Sequence, residues 1–400
     1  MSVAHADRDH AKLSASGSSR WLKCTPSVQL EEEFEETTSV FAEEGTAAHE
    51  LSELFLQLHF EQINKRTFTR RYNKFKKENG YYSEGMEEYV KTYVEVVVER
   101  ANETFATSPD AQVLLEQQLD FSQWVPEGFG TGDVLIIGDG TLEVVDLKYG
   151  KGVPVSAEGN SQMRLYALGA LDQYGFLYDI EKVRMTIVQP RLDNLSTDEV
   201  SSDDLLRWAE EEVKPKALMA WNGDGEFVAG DHCRFCRAKA VCKARADHNL
   251  KMAMYDFRSP DLLTHEEIGQ ILHKAEELKR WAKDVQDYAL VQAEEHGAKF
   301  SGWKLVEGRS NRKYTDEKAV KDRLLSSGYV EDEIFKPREV LGISAMEKTI
   351  GKKKFAELLE GLVIKPSGKP TLVPESDKRP ELNSIDSAIE DFSRREPWEI

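Results

Sequence analysis

The stretch TGDVLIIGDGTLEVVDLK carries three residues whose types could together activate water: Asp133, Asp146 and Lys148. The two aspartates lie thirteen positions apart around Gly138-Asp139-Gly140, a tight-turn triplet between two apolar runs. That pattern predicts a hairpin which sets the carboxylates side by side. On a strand, residues i and i+2 face the same way, so Asp146 and Lys148 point to one face. Two close carboxylates repel unless a cation sits between them, and hard oxygen ligands favour Mg²⁺ or Mn²⁺. Such an ion lowers the pKa of a coordinated water and offsets charge on a phosphate, and a neighbouring ammonium can orient that water. Alone, an Asp-x-Lys is a weak signal, since many surface strands carry one as a salt bridge.

The second set is HCRFCRAKAVC, which places Cys233, Cys236 and Cys242 within ten residues; the remaining cysteine, Cys24, precedes Cys233 by 209 positions. The spacing matches neither a zinc finger with its histidine pair nor a ferredoxin run. In a reduced compartment four cysteines point to metal ligands, catalytic residues or buried thiols rather than disulfides. As a metal site, the set would close a loop of more than two hundred residues and staple the two ends of a domain. Arg234, Arg237, Lys239, Lys243 and Arg245 share that loop, either neutralising the site, facing DNA or simply solvated.

Elements that would position these groups follow from periodicity. EEGTAAHELSELFLQLHF repeats Leu51, Leu54, Phe55 and Leu58 at helical spacing, with His49 and Glu50 at its start; a second helix covers residues 84–104. QVLLEQQLDF, TGDVLIIGD and LEVVDLKYG read as three strands, SQMRLYALGALDQYG as a helix and KVRMTIVQP as a further strand. Helix, three strands, helix, strand suits an α/β arrangement with a central sheet covered by helices. NKRTFTRRYNKFKK gathers Lys65, Arg66, Arg70, Arg71, Lys74, Lys76 and Lys77 among aromatics and without an acid. It is either a solvated face or a phosphate-contacting segment. Thr264 and Glu267 form a capping box opening a helix to residue 296, whose Ile268, Ile271, Ala275, Leu278, Ala282, Val285 and Ala289 stripe packs on its own core or on a partner helix. A Pro-rich charged tail follows.

The chain of 400 residues is 40% hydrophobic with a formal net charge of -19, enough apolar content for one large core or two smaller ones. That charge argues against a generally DNA-coating surface and leaves room for a locally basic path. Without a signal-like or membrane-spanning apolar run, the expected location is the cytoplasm, with no membrane partner.

GTGD (Gly130 to Asp133), DLK (Asp146 to Lys148) and QMRLY (Gln162 to Tyr166), preceded by GTAAHE (Gly45 to Glu50), resemble, in order, the acidic, D-x-K, Q-x-x-x-Y and G-T-x-x-H motifs of the RecB-type branch of PD-(D/E)XK nucleases. The resemblance implies that His49, Asp133, Asp146 and the Leu147 carbonyl hold a catalytic Mg²⁺ or Mn²⁺, that Lys148 assists the water, and that Gln162 and Tyr166 brace the site or touch the DNA backbone. Glu116 is a further acidic candidate. One cysteine before the core and three after it is the layout of the RecB-like nucleases that carry an iron-sulfur cluster, CRISPR-associated exonucleases among them. It implies a structural [4Fe-4S] cluster on Cys24, Cys233, Cys236 and Cys242, with Zn²⁺ as the alternative.

The resulting expectation is a restriction-endonuclease-like α/β core over residues 1–250 with a central mixed sheet, a long amphipathic helix over 251–298, and a small mixed region over 299–400. The expected activity is phosphodiester hydrolysis at DNA ends, in a phage-type recombination, replication or repair setting, since no helicase motif is present. DNA, a single-strand-binding or annealing protein, and a second copy through the 264–296 helix are the expected partners. The alternative is a cluster-bearing DNA-binding scaffold without cleavage.

Overall fold

The computed structural model describes residues 11–35, 40–138, 140–253, 265–306, 316–327, 330, 342–359 and 362–363. Asp139, Thr264 and the side chain of Glu267, Arg309, Arg312, Lys313 and the Pro-rich tail lie outside the described residues.

Alternation of β-branched and aliphatic residues builds one five-stranded mixed sheet. Strands β1 (Gln112–Asp120), β2 (Phe129–Gly138) and β3 (Thr141–Leu147) form an antiparallel meander. Helix α6 (Ser161–Tyr174) then crosses over to β4 (Lys182–Gln189), which pairs parallel with β3, as such a pairing requires a crossover rather than a tight turn. Strand β5 (Asn194–Ser201) closes the far edge antiparallel to β4. Its sequence, NLSTDEVS, is polar apart from Leu195 and Val200 and alternates half-buried with exposed positions, as an edge strand does.

Both faces of the sheet are covered, which is why β2 and β3 read as nearly continuous apolar runs. Val134, Ile136, Val145 and Leu147 face α3 (Val40–His59), α4 (Lys65–Glu78) and α5 (Glu84–Thr107). Leu135, Ile137, Leu142 and Val144 face α6, the short N-terminal helices α1 (Ser18–Trp21) and α2 (Ser27–Glu31), and α7 (Ser202–Trp208) and α8 (Lys214–Asn222). Each such fully buried aliphatic side chain contributes about 1.5–3 kcal/mol. The result is an α/β fold with helices on both sides of a mixed sheet.

Side-chain caps set where the helices near the site begin. Asn64 accepts from the Thr67 amide to start α4, Ser83 from Met86 to start α5, and Asn160 from both Gln162 and Met163 to start α6. The basic run therefore forms a helix, α4. Beyond the sheet, α9 (Lys243–Ala253) and α10 (His265–Glu295) follow. The chain divides into two units, Met1–Gln292 and Ala293–Ile400, so most of α10 belongs with the first. The described part of the second unit contains α11 (Glu317–Ser326), α12 (Ile343–Ile350) and α13 (Lys352–Leu358). Among the described residues no helix is long and apolar enough to cross a membrane.

Candidate acidic metal site and cysteine cavity

The ladder between β2 and β3 runs up to Val134 opposite Val145, and the next position along each strand is Asp133 and Asp146. Here the Leu147 amide donates to Asp133 Oδ2 at 2.7 Å. His49, on α3, brings Nε2 to 3.2 Å from the same oxygen and places Nδ1 2.8 Å from the Gly45 carbonyl oxygen. Burial opposes a charge on this imidazole, but the Asp133 carboxylate and its hydrogen bond outweigh it and push the pKa up to about 10. Burial likewise opposes ionisation of Asp133, and the charge and hydrogen bond of His49 overcome it, holding its pKa low. Asp146 is 3% exposed and goes the other way: burial and the neighbouring Asp133 raise its pKa against the pull of Lys148.

Lys148 Nζ lies 2.9 Å from Asp146 Oδ2 and 3.2 Å from Oδ1, and donates to Gln162 Oε1 at 3.0 Å. Gln162 Nε2 in turn donates to the Tyr166 hydroxyl at 3.1 Å. Gln162 and Tyr166 are one turn apart on α6, so the helix holds an unbroken chain from Asp146 through Lys148 and Gln162 to Tyr166. Burial, then the Asp146 charge, pushes the Tyr166 hydroxyl to about 12, so it is protonated in this chain. Gly130 is required beside it: a Cβ there would meet Tyr166 Cε1 at 2.7 Å. Gln162 thus touches Lys148 rather than only the surface, the bracing role among its expected ones.

Glu116 sits in β1 between the pairs Leu115 with Val134 and Gln117 with Gly132, opposite the Asp133 position, and has φ +49. A left-handed glutamate inside a strand stores strain of roughly 1–3 kcal/mol. Burial, then the charges of Asp133 and Glu53, raise its carboxyl to about 8. Two groups at this site escaped the sequence reading. Glu53 follows His49 by one helical turn, a spacing that could have found it. Tyr93 counts in sequence only as part of an apolar helix stripe, yet its hydroxyl is buried without a hydrogen-bond partner among the described residues and within electrostatic reach of Asp133, Asp146 and Glu116.

Cys24, Cys233, Cys236 and Cys242 line one separate cavity of about 20 Å³ together with Arg20, His232, Lys239 and Arg245. The N-terminal helices meet the cysteine segment here: Arg20 pairs with the buried Glu31 at 2.6 Å and donates to the Phe235 carbonyl, and the Arg237 amide donates to Glu31 at 2.7 Å. Thr25 and Gln29 donate to the carbonyls of Asp224 and Trp221. Backbone amides of Val228 and Gly230 point at the sulfurs of Cys24 and Cys233. Burial pushes the Cys236 thiol up to about 12 and raises Cys233. Four soft thiol donors framed by cations fit a thiolate-bound metal of net negative charge. Arg245, 1% exposed, binds Glu277 at 2.7 Å, Asp284 at 2.7 Å and the Lys239 carbonyl at 3.1 Å, fastening α10 to the cysteine segment.

Among the described residues, no set of three or more His, Cys, Asp and Glu side chains is closed up as a ready metal-ligand group. At the acidic site the ligand oxygens are held by His49, Lys148 and the Leu147 amide, while Asp146 Oδ2 accepts no well-aligned hydrogen bond despite its burial. That oxygen, met by the Lys148 ammonium at 2.9 Å through charge alone, lies in surroundings that fit a cation better than an apolar core.

Helix α4 packs on α3. Of its basic residues, Arg71 donates to Gln57 at 3.3 Å, Lys74 lies 3.8 Å from Glu78, and Lys76 covers the rings of Tyr72 and Tyr82. Lys65, Arg66, Arg70 and Lys77 are exposed. Phe55, Phe68 and Tyr72 stack with centroids 5.5–5.9 Å apart, holding the two helices together.

DUF2800, a protein family of unknown function, matches residues 10–380. The solved chain described as "Crystal structure of SSO0001" is similar at 12% identity and a TM-score of 0.21, over 57% of this chain and 96% of that one.

Proposed function

We propose that this chain, which belongs to the DUF2800 family of proteins of unknown function, is a metal-dependent deoxyribonuclease of the RecB-like PD-(D/E)XK kind, with a restriction-endonuclease-like core, acting at DNA ends. The observation that carries the reading is the convergence of His49, Asp133, Asp146, Lys148, Gln162 and Tyr166 from α3, the β2–β3 hairpin and α6 on one place. His49, Asp133, Asp146 and the Leu147 carbonyl would hold Mg²⁺ or Mn²⁺, which when bound supplies an acidic water and positive charge for the phosphate. Lys148, held between Asp146 and Gln162, keeps an ammonium beside the place where charge develops. Tyr166 fixes the Gln162 amide, and through it the lysine. The cysteines would carry a structural [4Fe-4S] cluster or Zn²⁺, without a step in the reaction.

The chain's own cations already pair with the acids, Asp133 with His49 and Asp146 with Lys148, and this supports a second reading, a DNA-binding recombination scaffold that does not cleave. Digestion of end-labelled linear and circular DNA with Mg²⁺ or Mn²⁺, wild type beside Asp146→Ala, separates the two. Loss of linear DNA that Asp146→Ala abolishes supports the nuclease; intact DNA under every metal supports the scaffold.

A further inference from the structure

Helices α3 and α4 enclose a cavity of about 500 Å³ lined by Glu50, Glu53, Leu54, Gln57, Arg71, Lys74, Phe75, Glu78 and Asn79. That is the size range of small-molecule sites, roughly 300–1,000 Å³. Leu54 and Phe75, both buried, give it apolar surface. One wall is an ordered polar chain, in which Gln57 donates to Glu53 at 2.7 Å and accepts from Arg71 at 3.3 Å. Glu53, one turn after His49 on α3, lines the cavity and lies within electrostatic reach of Glu116, so the cavity adjoins the acidic site.

Lining charge decides what chemistry fits. Three carboxylates, Glu50, Glu53 and Glu78, face two cations, Arg71 and Lys74, so a phosphate is the wrong filling for the interior. A nucleobase is the right one: it has apolar faces for Leu54 and Phe75 and a donor-acceptor edge that amides and carboxylates read, as Asn or Gln reads adenine and Glu reads the cytosine amine. Exposed Arg66, Arg70 and Lys77 on α4 remain for the backbone phosphates outside. In an intact duplex the base edges are paired and the bases stacked, so only an unpaired nucleotide can enter.

We infer that the α3–α4 cavity takes one unpaired nucleotide of a strand, which makes the substrate of the acidic site a single-stranded or frayed DNA end. The inference rests on the nuclease reading for what then happens to the strand, and on the cavity alone for binding. The test is fluorescence anisotropy of the full chain in EDTA, where cleavage is suppressed. Its probes are a labelled oligonucleotide as single strand and as blunt duplex, and its variants are Gln57→Trp and Asn79→Trp, which fill the cavity from two sides.

The single strand should bind about tenfold or more tightly than the duplex, and each tryptophan should weaken single-strand binding by a similar factor at unchanged melting temperature. Photocrosslinking of a bromouracil-substituted strand to wild-type protein, mapped by peptide, should land within residues 50–79 and needs no variant to fold. Equal affinity for strand and duplex, tryptophan variants that bind the strand like wild type, crosslinks confined to other segments, or a free nucleoside monophosphate bound as tightly as the strand would each overturn the inference. Intact DNA in the metal-supplemented digestion would instead refute the nuclease reading and leave these binding results standing.

Discussion

Replacing Arg245 with methionine should lower the stability of the first unit by about 3 kcal/mol, the low end of what breaking a buried ion pair costs. The structure sets that magnitude. The guanidinium is 1% exposed and makes two hydrogen bonds to Glu277, one to Asp284 and one to the Lys239 carbonyl. The two acids are 18% and 19% exposed, so water recovers part of their solvation when the arginine is gone, and Arg280 and Lys239 still pair with them. Methionine fills most of the volume, so the loss reports charge rather than a hole. The assay is urea unfolding of the purified full chain, followed by tryptophan fluorescence and circular dichroism, for Arg245→Met, Glu277→Gln and the double variant. A coupling energy of about 1–3 kcal/mol between the two sites is expected, as for residues in one network. Additive effects, or a loss under about 0.5 kcal/mol for Arg245→Met, which is the size of an ordinary surface change, would refute the clamp between α10 and the cysteine segment.

Three further outcomes follow from the geometry. Gln162→Leu should reduce the metal-dependent cleavage rate roughly 10–100-fold at unchanged melting temperature, because Lys148 loses the amide that orients it; digestion kinetics check this, and an unchanged rate would remove Gln162 from the relay. If the cysteine site carries the proposed metal, iron and zinc analysis of protein purified without oxygen should find it, and stripping it should destabilise the chain by about 5 kcal/mol, from closure of a loop of 209 positions; equal urea midpoints with and without it would refute the staple. Glu87 accepts hydrogen bonds from Lys91, Tyr72 and Tyr82, which overcome its burial and hold its pKa at about 2, below the ordinary 4.5. A depressed carboxylate stabilises the fold above the unfolded value and loses that contribution as pH falls from about 4.5 toward 2, so acid titration of Glu87→Gln should show a shallower loss of stability over that window.

The hairpin and its carboxylates were legible because strand alternation, a glycine-rich turn and a fixed i, i+2 parity are local properties. The same parity places Asp146 and Lys148 on the α6 side, where Gln162 meets them. Strand β5 was not legible, since NLSTDEVS has no apolar face to alternate and acquires its strand form from pairing with β4. Helix α4 was ambiguous because charge without periodic burial reads alike in a loop and on a helix face; the Asn64 cap and the Phe55–Phe68–Tyr72 stack resolve it. The place of Tyr93 at the site and the left-handed backbone of Glu116 could not be read from spacing, because both are properties of surroundings built by distant segments. The tie from Arg245 to Glu277 and Asp284 is hidden for the same reason: salt-bridge partners thirty or more residues apart leave no periodic trace.

The meeting of α1 and α2 with the segment around Cys233 has a temporal side. Every residue of the acidic site has been synthesised once Tyr166 is made, yet Glu31, Thr25 and Gln29 find their partners only among residues 221–237. At about 5–20 residues per second, the N-terminal helices wait roughly ten to forty seconds for them. For the last roughly three to fourteen seconds of that interval, between Tyr166 and residues 221–237, the nascent chain carries all its acids while the α1–α2 side is unsealed. Translation itself thereby delays the seal until the segment around Cys233 is made, and a message cut short between these points yields a chain with its acidic residues present and its seal missing.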